Sequence, residues 1–451
     1  MSLSRRTMLS RAALLAGGAL VAGAAEAQDP HAGHQHGAPA EPPPSPPPAA
    51  KRKAPAARKE KEGKLPYTPV ITPNGRTLPF RMNGGVKEFH LIAEPVQQEF
   101  APGMTVNAWG YNGSTPGPTL EMVEGDQVRI YVTNKLPEAT SVHWHGILLP
   151  SGMDGVSGLS QPRIEPGETY VYEYTLRQHG TYMYHPHADE MVQMALGLMG
   201  FLIVHPKKRP DPPIDRDFCL FPHMWAIPPG AKTPDPSVML DFNLFTFNGK
   251  IWPGTAPLLI RQDERVRIRL ANLSMTSHPI HMHGHVLWVV ETDGGPIPKS
   301  AWWPETTVNV PPGTTRAFEF VADNPGDWTL HCHKTHHAMN AMGHDVPNLI
   351  GVDKTGIDEK LGKLIDGYMT MGTTGMSEHS EHAHHMKGVA NTIPMMTGDG
   401  PFGPIEMGGM FTLVKIRKDL ENLDADPGWY QHPPGTIARK VENPPDFGEL
   451  E

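Results

Sequence analysis

His331-Cys332-His333, followed by His337 and Met342, is the stretch of this 451-residue chain with the most chemistry to offer. On a strand, residues i and i+2 point one way and the residue between them points the other. Cys332 can therefore bind a metal within its own domain while His331 and His333 reach outward to a second site. With an upstream histidine, this stretch supplies the two imidazoles, one thiolate and weak thioether of a blue electron-transfer copper. Taken alone, Cys332 reads as a small buried residue among packing histidines. Four H-x-H pairs argue otherwise: His143-Trp144-His145, His185-Pro186-His187, His281-Met282-His283 and His331-Cys332-His333. Eight imidazoles suit three coppers with positions left open for dioxygen. A structural zinc closes one tetrahedral site and leaves four histidines over.

Bulk properties narrow the alternatives. The chain has room for two or three domains, and 38% apolar residues suffice for cores. A formal net charge of −9 and a pI near 6.3 give no reason to expect nucleic acid. Beyond the N-terminal segment, no apolar run is long enough to span a bilayer. Cys219 and Cys332 could pair, but a disulfide would consume the ligand set around Cys332, so Cys219 reads as a core residue. The 25 histidines and 24 methionines are copper ligands by type, thioether favouring Cu(I).

The elements that must hold these residues are short strands. Residues 1–27 read as a twin-arginine export signal, from Ser4-Arg5-Arg6-Thr7-Met8-Leu9 through an apolar run to Ala25-Glu26-Ala27. This places the mature protein in the periplasm or otherwise outside the cytoplasm. Residues 28–66 are rich in Pro, Ala and Lys and read as a tether, with His31, His34 and His36 as weak metal collectors or plain polar residues. From 67 to 208, alternating strands such as the one carrying Val128, Ile130 and Val132 indicate a β-sandwich.

Residues 212–420 repeat it. Val266, Ile268 and Leu270 echo those three positions, HMHG echoes HWHG, and Gly326 to His331 echoes Gly180 to His185, at offsets of 138 and then 146 residues. Where the second copy has Cys332, the first has Pro186. Residues 346–402 interrupt the second copy before a closing strand at Met410 to Ile416. This insertion holds Ile357, Leu361, Leu364 and Ile365, which read as a short amphipathic helix. It then gathers Met369, Met371, Met376, His379, His382, His384, His385, Met386, Met395 and Met396, which read equally well as a Cu(I)-binding tract or as a lid. Residues 421–451 form a polar tail. The fold class expected is all-β, two cupredoxin-like Greek-key sandwiches with an insertion before the last strand of the second.

The motifs HWHG, HPH, HPIHMHG and HCHKTHHAMNAM, in that order, resemble those of the multicopper oxidases, the family of laccases and cuprous oxidases. The resemblance covers roughly residues 67 to 345 and the closing strand. It implies four coppers per functional site. His278, Cys332 and His337 would hold type 1 with Met342 as axial ligand, His143 and His281 type 2, and His145, His185, His187, His283, His331 and His333 the type 3 pair. Met339, Met407 and Met410 remain alternatives to Met342. The implied reaction is one-electron oxidation of Cu(I) or phenols coupled to four-electron reduction of O₂ to water, with His337 bringing the type 1 site near the surface. Asp154 stands where relatives place an acid near type 2 copper, and reads equally well as a turn residue before Gly155. Relatives with an acid directly after the type 1 histidine differ from this chain, which has Ala338; Asp189 or Glu190 could supply protons instead. With two domains, the family plan implies a homotrimer in which neighbouring chains complete each site. The other readings are a copper nitrite reductase-like enzyme and a copper-binding or resistance protein without turnover.

Overall fold

The structure, a computed structural model, describes residues 65–228, 230–340, 390–393 and 398–443, with single positions at 356, 360, 363 and 364. The expected export signal, most of the tether, Met342 and the Met/His-rich tract lie outside the described residues. The described chain is nearly all strand. The α-helix Glu190–Ala195 is six residues long, and among the described residues no helix is long and apolar enough to cross a membrane.

In the first sandwich one sheet runs Arg81–Asn83, Val86–Ala101, Gln127–Asn134, Thr169–Thr175, with Met104–Tyr111 pairing along the later part of the long second strand. The facing sheet runs Leu120–Val123, Gly200–His205, Gly180–His185, His143–His145. Val128, Ile130 and Val132 alternate inward as the sequence pattern requires and meet Trp144, Tyr182, Tyr184 and Leu202 from the other layer. Each such aliphatic side chain contributes about 1.5–3 kcal/mol when fully buried.

The second sandwich repeats the plan. One sheet contains Arg216–Leu220, Arg265–Asn272, Thr314–Val321 and Leu287–Thr292; the other runs Leu258–Arg261, Phe411–Arg417, Gly326–Cys332, His278–Met282, Thr307–Val310. The closing strand pairs with Gly326–Cys332 in register, Trp328 opposite Val414, despite the insertion between them. Loop-closure entropy permits this, since a tenfold longer connection adds only about 2 kcal/mol. Val70–Ile71, from the range expected for the first sandwich, adds a parallel strand beside Asp217–Phe218 of the second.

The strand Arg265–Asn272 is buried on both faces, unlike its counterpart. Its outward face carries Arg267 and Arg269 into a closed ionic network. Arg269 meets Asp217 through Nε and Nη2 at 2.8 and 2.9 Å, and its Nη1 reaches Glu291 at 3.0 Å and Thr181 of the first sandwich at 2.7 Å. A buried ion pair adds little over an apolar core, but deleting one partner strands the others. Arg269→Met is therefore expected to destabilise the protein by about 3–5 kcal/mol, read as a lower urea midpoint.

Candidate metal centres

The first centre lies between the two layers of the second sandwich. His278 opens one strand, Cys332 ends its neighbour, and their pairing (Ile280 opposite Cys332) puts the two side chains on one face of the sheet, two residues apart along it. A 3₁₀ turn, Thr335–Ala338, returns the chain so that His337 faces them. Cys332 Sγ lies 3.7 Å from His278 Nδ1 and 3.5 Å from His337 Nδ1, and the two nitrogens are 3.2 Å apart. A point equidistant from three atoms so spaced lies about 2 Å from each, within the range of first-row metal–nitrogen and metal–sulfur bonds.

All three are buried. Burial, with His336 and Lys334 nearby, holds His337 down at about 3, and burial holds His278 well below the ordinary imidazole value. The same desolvation pushes the Cys332 thiol up to about 12. The imidazoles therefore present lone pairs, and a bound cation must displace the thiol proton. The backbone of Met410 brackets the centre: its carbonyl accepts from Cys332 N–H at 3.1 Å and its N–H donates to the His337 carbonyl at 2.9 Å. Met410 is fully buried, and Met339 packs against the same core. Met407 packs instead in the small cluster around Trp252, Phe411 and Leu413.

One expectation is corrected here. His337 does not reach the surface: it is 2% exposed, because Phe245 stacks on its ring at 4.4 Å and His336 meets it edge-on at 4.4 Å. The exposed imidazole beside the centre is His336. The sequence carried one sign of it, the doubled histidine in HCHKTHHAM.

The H-x-H pairs form two groups of four. In the first sandwich His143 and His185 are cross-strand partners, and the ligand nitrogens of His143, His145 and His185 lie within 4.8 Å of one another. His143 Nδ1 bonds the Asp154 carbonyl at 2.8 Å, and His185 Nδ1 bonds that of Pro186 at 2.9 Å. The second sandwich repeats the device. His281 Nδ1 bonds the Thr306 carbonyl at 2.6 Å, and His331 Nδ1 that of Cys332 at 3.0 Å. A carbonyl only accepts, so each Nδ1 carries the proton and each Nε2 keeps its lone pair for a metal. The nitrogens converge: His145 Nδ1 is 3.2 Å from His185 Nε2, and His283 Nε2 is 3.4 Å from His331 Nε2. Burial lowers His185 to about 3 and His331 to about 4, and lowers His145 and His283 as well. His187 and His333 complete the two groups, with rings 5.7 Å from His143 and 5.4 Å from His281 respectively. Gly146 and Gly284, which close HWHG and HMHG, have φ of 86° and 75°, and a Cβ on either would come within 3.0 Å of Tyr182 or Trp328.

Among the described residues, the ring contacts of each group of four stay within that group. The Asp154 carboxylate lies 3.4 Å from His143 Nδ1, and that of Glu190 lies 3.6 Å from His185 Nδ1 and 3.8 Å from His187 Nε2. Both acids therefore border the first group. Asp189, next to Glu190, has φ 47° at the start of the helix and makes no capping side-chain bond.

Two cupredoxin-like sandwiches with a buried His₂Cys trio and paired H-x-H strands define a copper protein. Family models for multicopper oxidases match residues 93–209 and 228–351, and the chain belongs to that family. Its cofactor is copper. Copper resistance protein A of Pseudomonas syringae pv. tomato is 50% identical over 105 residues, 23% of this chain and 17% of that protein. Laccase-2 of Botryotinia fuckeliana is 30% identical over 305 residues, 60% of this chain and 49% of the relative. The matches thus span half or less of these curated relatives. The crystal structure of blue copper oxidase from Nitrosomonas europaea aligns with a TM-score of 0.54 at 25% identity, covering 73% of this chain and 85% of that one.

Proposed function

We propose that the protein is an exported oxidase that takes electrons singly from Cu(I) or a phenolic donor and delivers four of them to O₂, forming water. The observation that carries this reading is the trio His278, Cys332 and His337, with His331 and His333 flanking the thiol on the opposite side of its strand. His278, Cys332 and His337 would hold the type 1 copper, with Met342 as the favoured axial ligand and Met339, Met407 and Met410 as alternatives. His143 and His281 would hold type 2, and His145, His185, His187, His283, His331 and His333 the type 3 pair. Copper so placed supplies one-electron redox chemistry at the trio and four stored electrons at a full complement. Cys332 and its two neighbours form the covalent path between the centres. His336 and Phe245 cover His337, so a donor meets the exposed His336 first. Asp154 and Glu190 stand where protons bound for oxygen can be held beside the first group of four.

Because each group of four histidines closes on itself, the reading favours a homotrimer, the first sandwich of one chain facing the second sandwich of the next. Export by the twin-arginine route into the periplasm completes it. Copper per chain, solution mass and O₂ uptake with Cu(I) and with a phenol test the whole. The expected result is four coppers per chain, a solution mass about three times that of one mature chain, and O₂ uptake with at least one donor. A fully loaded monomer would overturn the trimer. Copper bound without O₂ uptake would favour a store, and turnover of nitrite alone would favour the reductase-like alternative.

A further inference from the structure

His278 is fixed from behind as well as in front. Its Nδ1 faces Cys332 and His337, while its Nε2 lies 2.6 Å from Ser274 Oγ. The direction of that hydrogen bond can be worked out from one amide. Asn272 Nδ2 donates to the carbonyls of Thr276 and Val310, both at 2.8 Å, so its Oδ1 is left as a pure acceptor. Oδ1 receives the Ser274 N–H at 2.8 Å and lies 2.6 Å from Ser274 Oγ. Two oxygens that close need a hydrogen between them, and Asn272 Oδ1 carries none, so the single hydroxyl hydrogen of Ser274 lies toward Oδ1 and away from the histidine; the Thr276 carbonyl, at 3.4 Å, can also only accept. Ser274 Oγ must accept, and His278 Nε2 must donate. All three residues are buried, so water does not compete.

The first sandwich supplies an internal control. Asn134 makes the same brace, Nδ2 donating to Glu138 O and Ile164 O at 2.8 Å each and Oδ1 receiving the N–H of Leu136 at 2.9 Å. The offsets of the repeat carry Asn272 onto Asn134, Thr276 onto Glu138 and Val310 onto Ile164. They also carry Ser274 onto Leu136, His278 onto Thr140 and Cys332 onto Pro186. The asparagine brace therefore belongs to the fold, whereas the hydroxyl occurs only in the copy that has the thiol and its imidazoles.

We infer that Ser274 is a positioning residue for the thiolate-bound metal: through the polarity set by Asn272 it holds His278 as the Nε2–H tautomer and turns Nδ1 toward Cys332. The inference rests on His278 being a ligand of that centre. Ser274→Ala keeps the backbone N–H bond to Asn272 and removes only the acceptor, while Ser274→Thr keeps the hydroxyl.

The test uses the full chain in two states. In metal-free protein carrying ¹⁵N-labelled histidine rings, the His278 signals, assigned by their loss in His278→Ala, are expected to show a single Nε2–H tautomer. They are expected to become a tautomer mixture in Ser274→Ala. In copper-loaded protein, Ser274→Ala is expected to bind the type 1 copper 10–100-fold more weakly and to shift the thiolate charge-transfer band, with Ser274→Thr restoring both. A protonated Nδ1 on His278 in the unaltered protein overturns the inference even if the alanine variant fails to fold. So does a blue wild type whose Ser274→Ala variant keeps its tautomer, band and affinity. A wild type that takes up copper with no blue band instead overturns the assignment of the centre, which separates the two failures.

Discussion

Cys332→Ser is expected to leave a folded protein that has lost its blue band and its oxidase turnover to the limit of detection. Serine matches the thiol in shape but supplies no sulfur-to-metal charge transfer, and it removes the sulfur at which the proposed path toward His331 and His333 would begin. Burying a hydroxyl in place of the thiol also costs about 1–3 kcal/mol, because Cys332 sits within the core of the second sandwich. Cys219→Ser separates the two effects. Cys219 is as completely buried, in a cluster with Met183, Phe201 and Phe221. That variant should pay a similar stability penalty and stay blue. Absorption spectra and O₂ uptake of the two purified variants decide the matter. A blue, active Cys332→Ser would remove the basis for the type 1 assignment.

The metal-free protein is expected to lose stability steeply as the pH falls from about 6.5. His185, His223 and His337 are held near 3 and His331 near 4, in each case chiefly by burial, and for His185, His331 and His337 neighbouring imidazoles or Lys334 add to it. The sign follows from proton counts. Between the folded and unfolded values the unfolded chain binds more protons, so stability rises with pH and falls on acidification. The loss starts near the unfolded value of about 6.5 and saturates only below 4. Each histidine costs about 2 kcal/mol between pH 7 and pH 5, so the four together approach the whole stability of a typical domain. His223 has neither ring nitrogen bonded and so gains nothing to offset protonation. Copper loading should move the acid transition to lower pH, since a metal-bound nitrogen cannot take a proton until the metal leaves. Urea midpoints at pH 7 and pH 5, with and without copper, measure this. Equal midpoints at the two pH values for the metal-free protein would contradict it.

Much of the architecture was legible because it follows a period of two. Val128, Ile130 and Val132 announced a half-buried strand, and the same spacing carried Cys332 to one face and its flanking histidines to the other. The repeat offsets located the second sandwich because insertions between the landmarks are few until residue 346. Contacts between elements distant in sequence were less legible. Arg267 and Arg269 alternate like solvent-facing residues, yet the partners that bury them, Asp217, Glu291 and Thr181, come from other strands and from the other sandwich. His337 gave no sign of being covered, because Phe245 lies some ninety residues upstream. The brace at Asn272 and Ser274 is aperiodic: it is a loop device whose meaning depends on two carbonyls that no pattern predicts.

The depth of Cys332 also bears on the interval between synthesis and metallation. Oxidants and alkylating agents attack thiolates that solvent can reach, and the ladder from sulfenic to sulfonic acid begins there. A fully enclosed thiol raised to about 12 offers them almost nothing. A chain waiting for its copper in an oxidising compartment would therefore keep its sulfur intact, with the fold itself serving as the antioxidant.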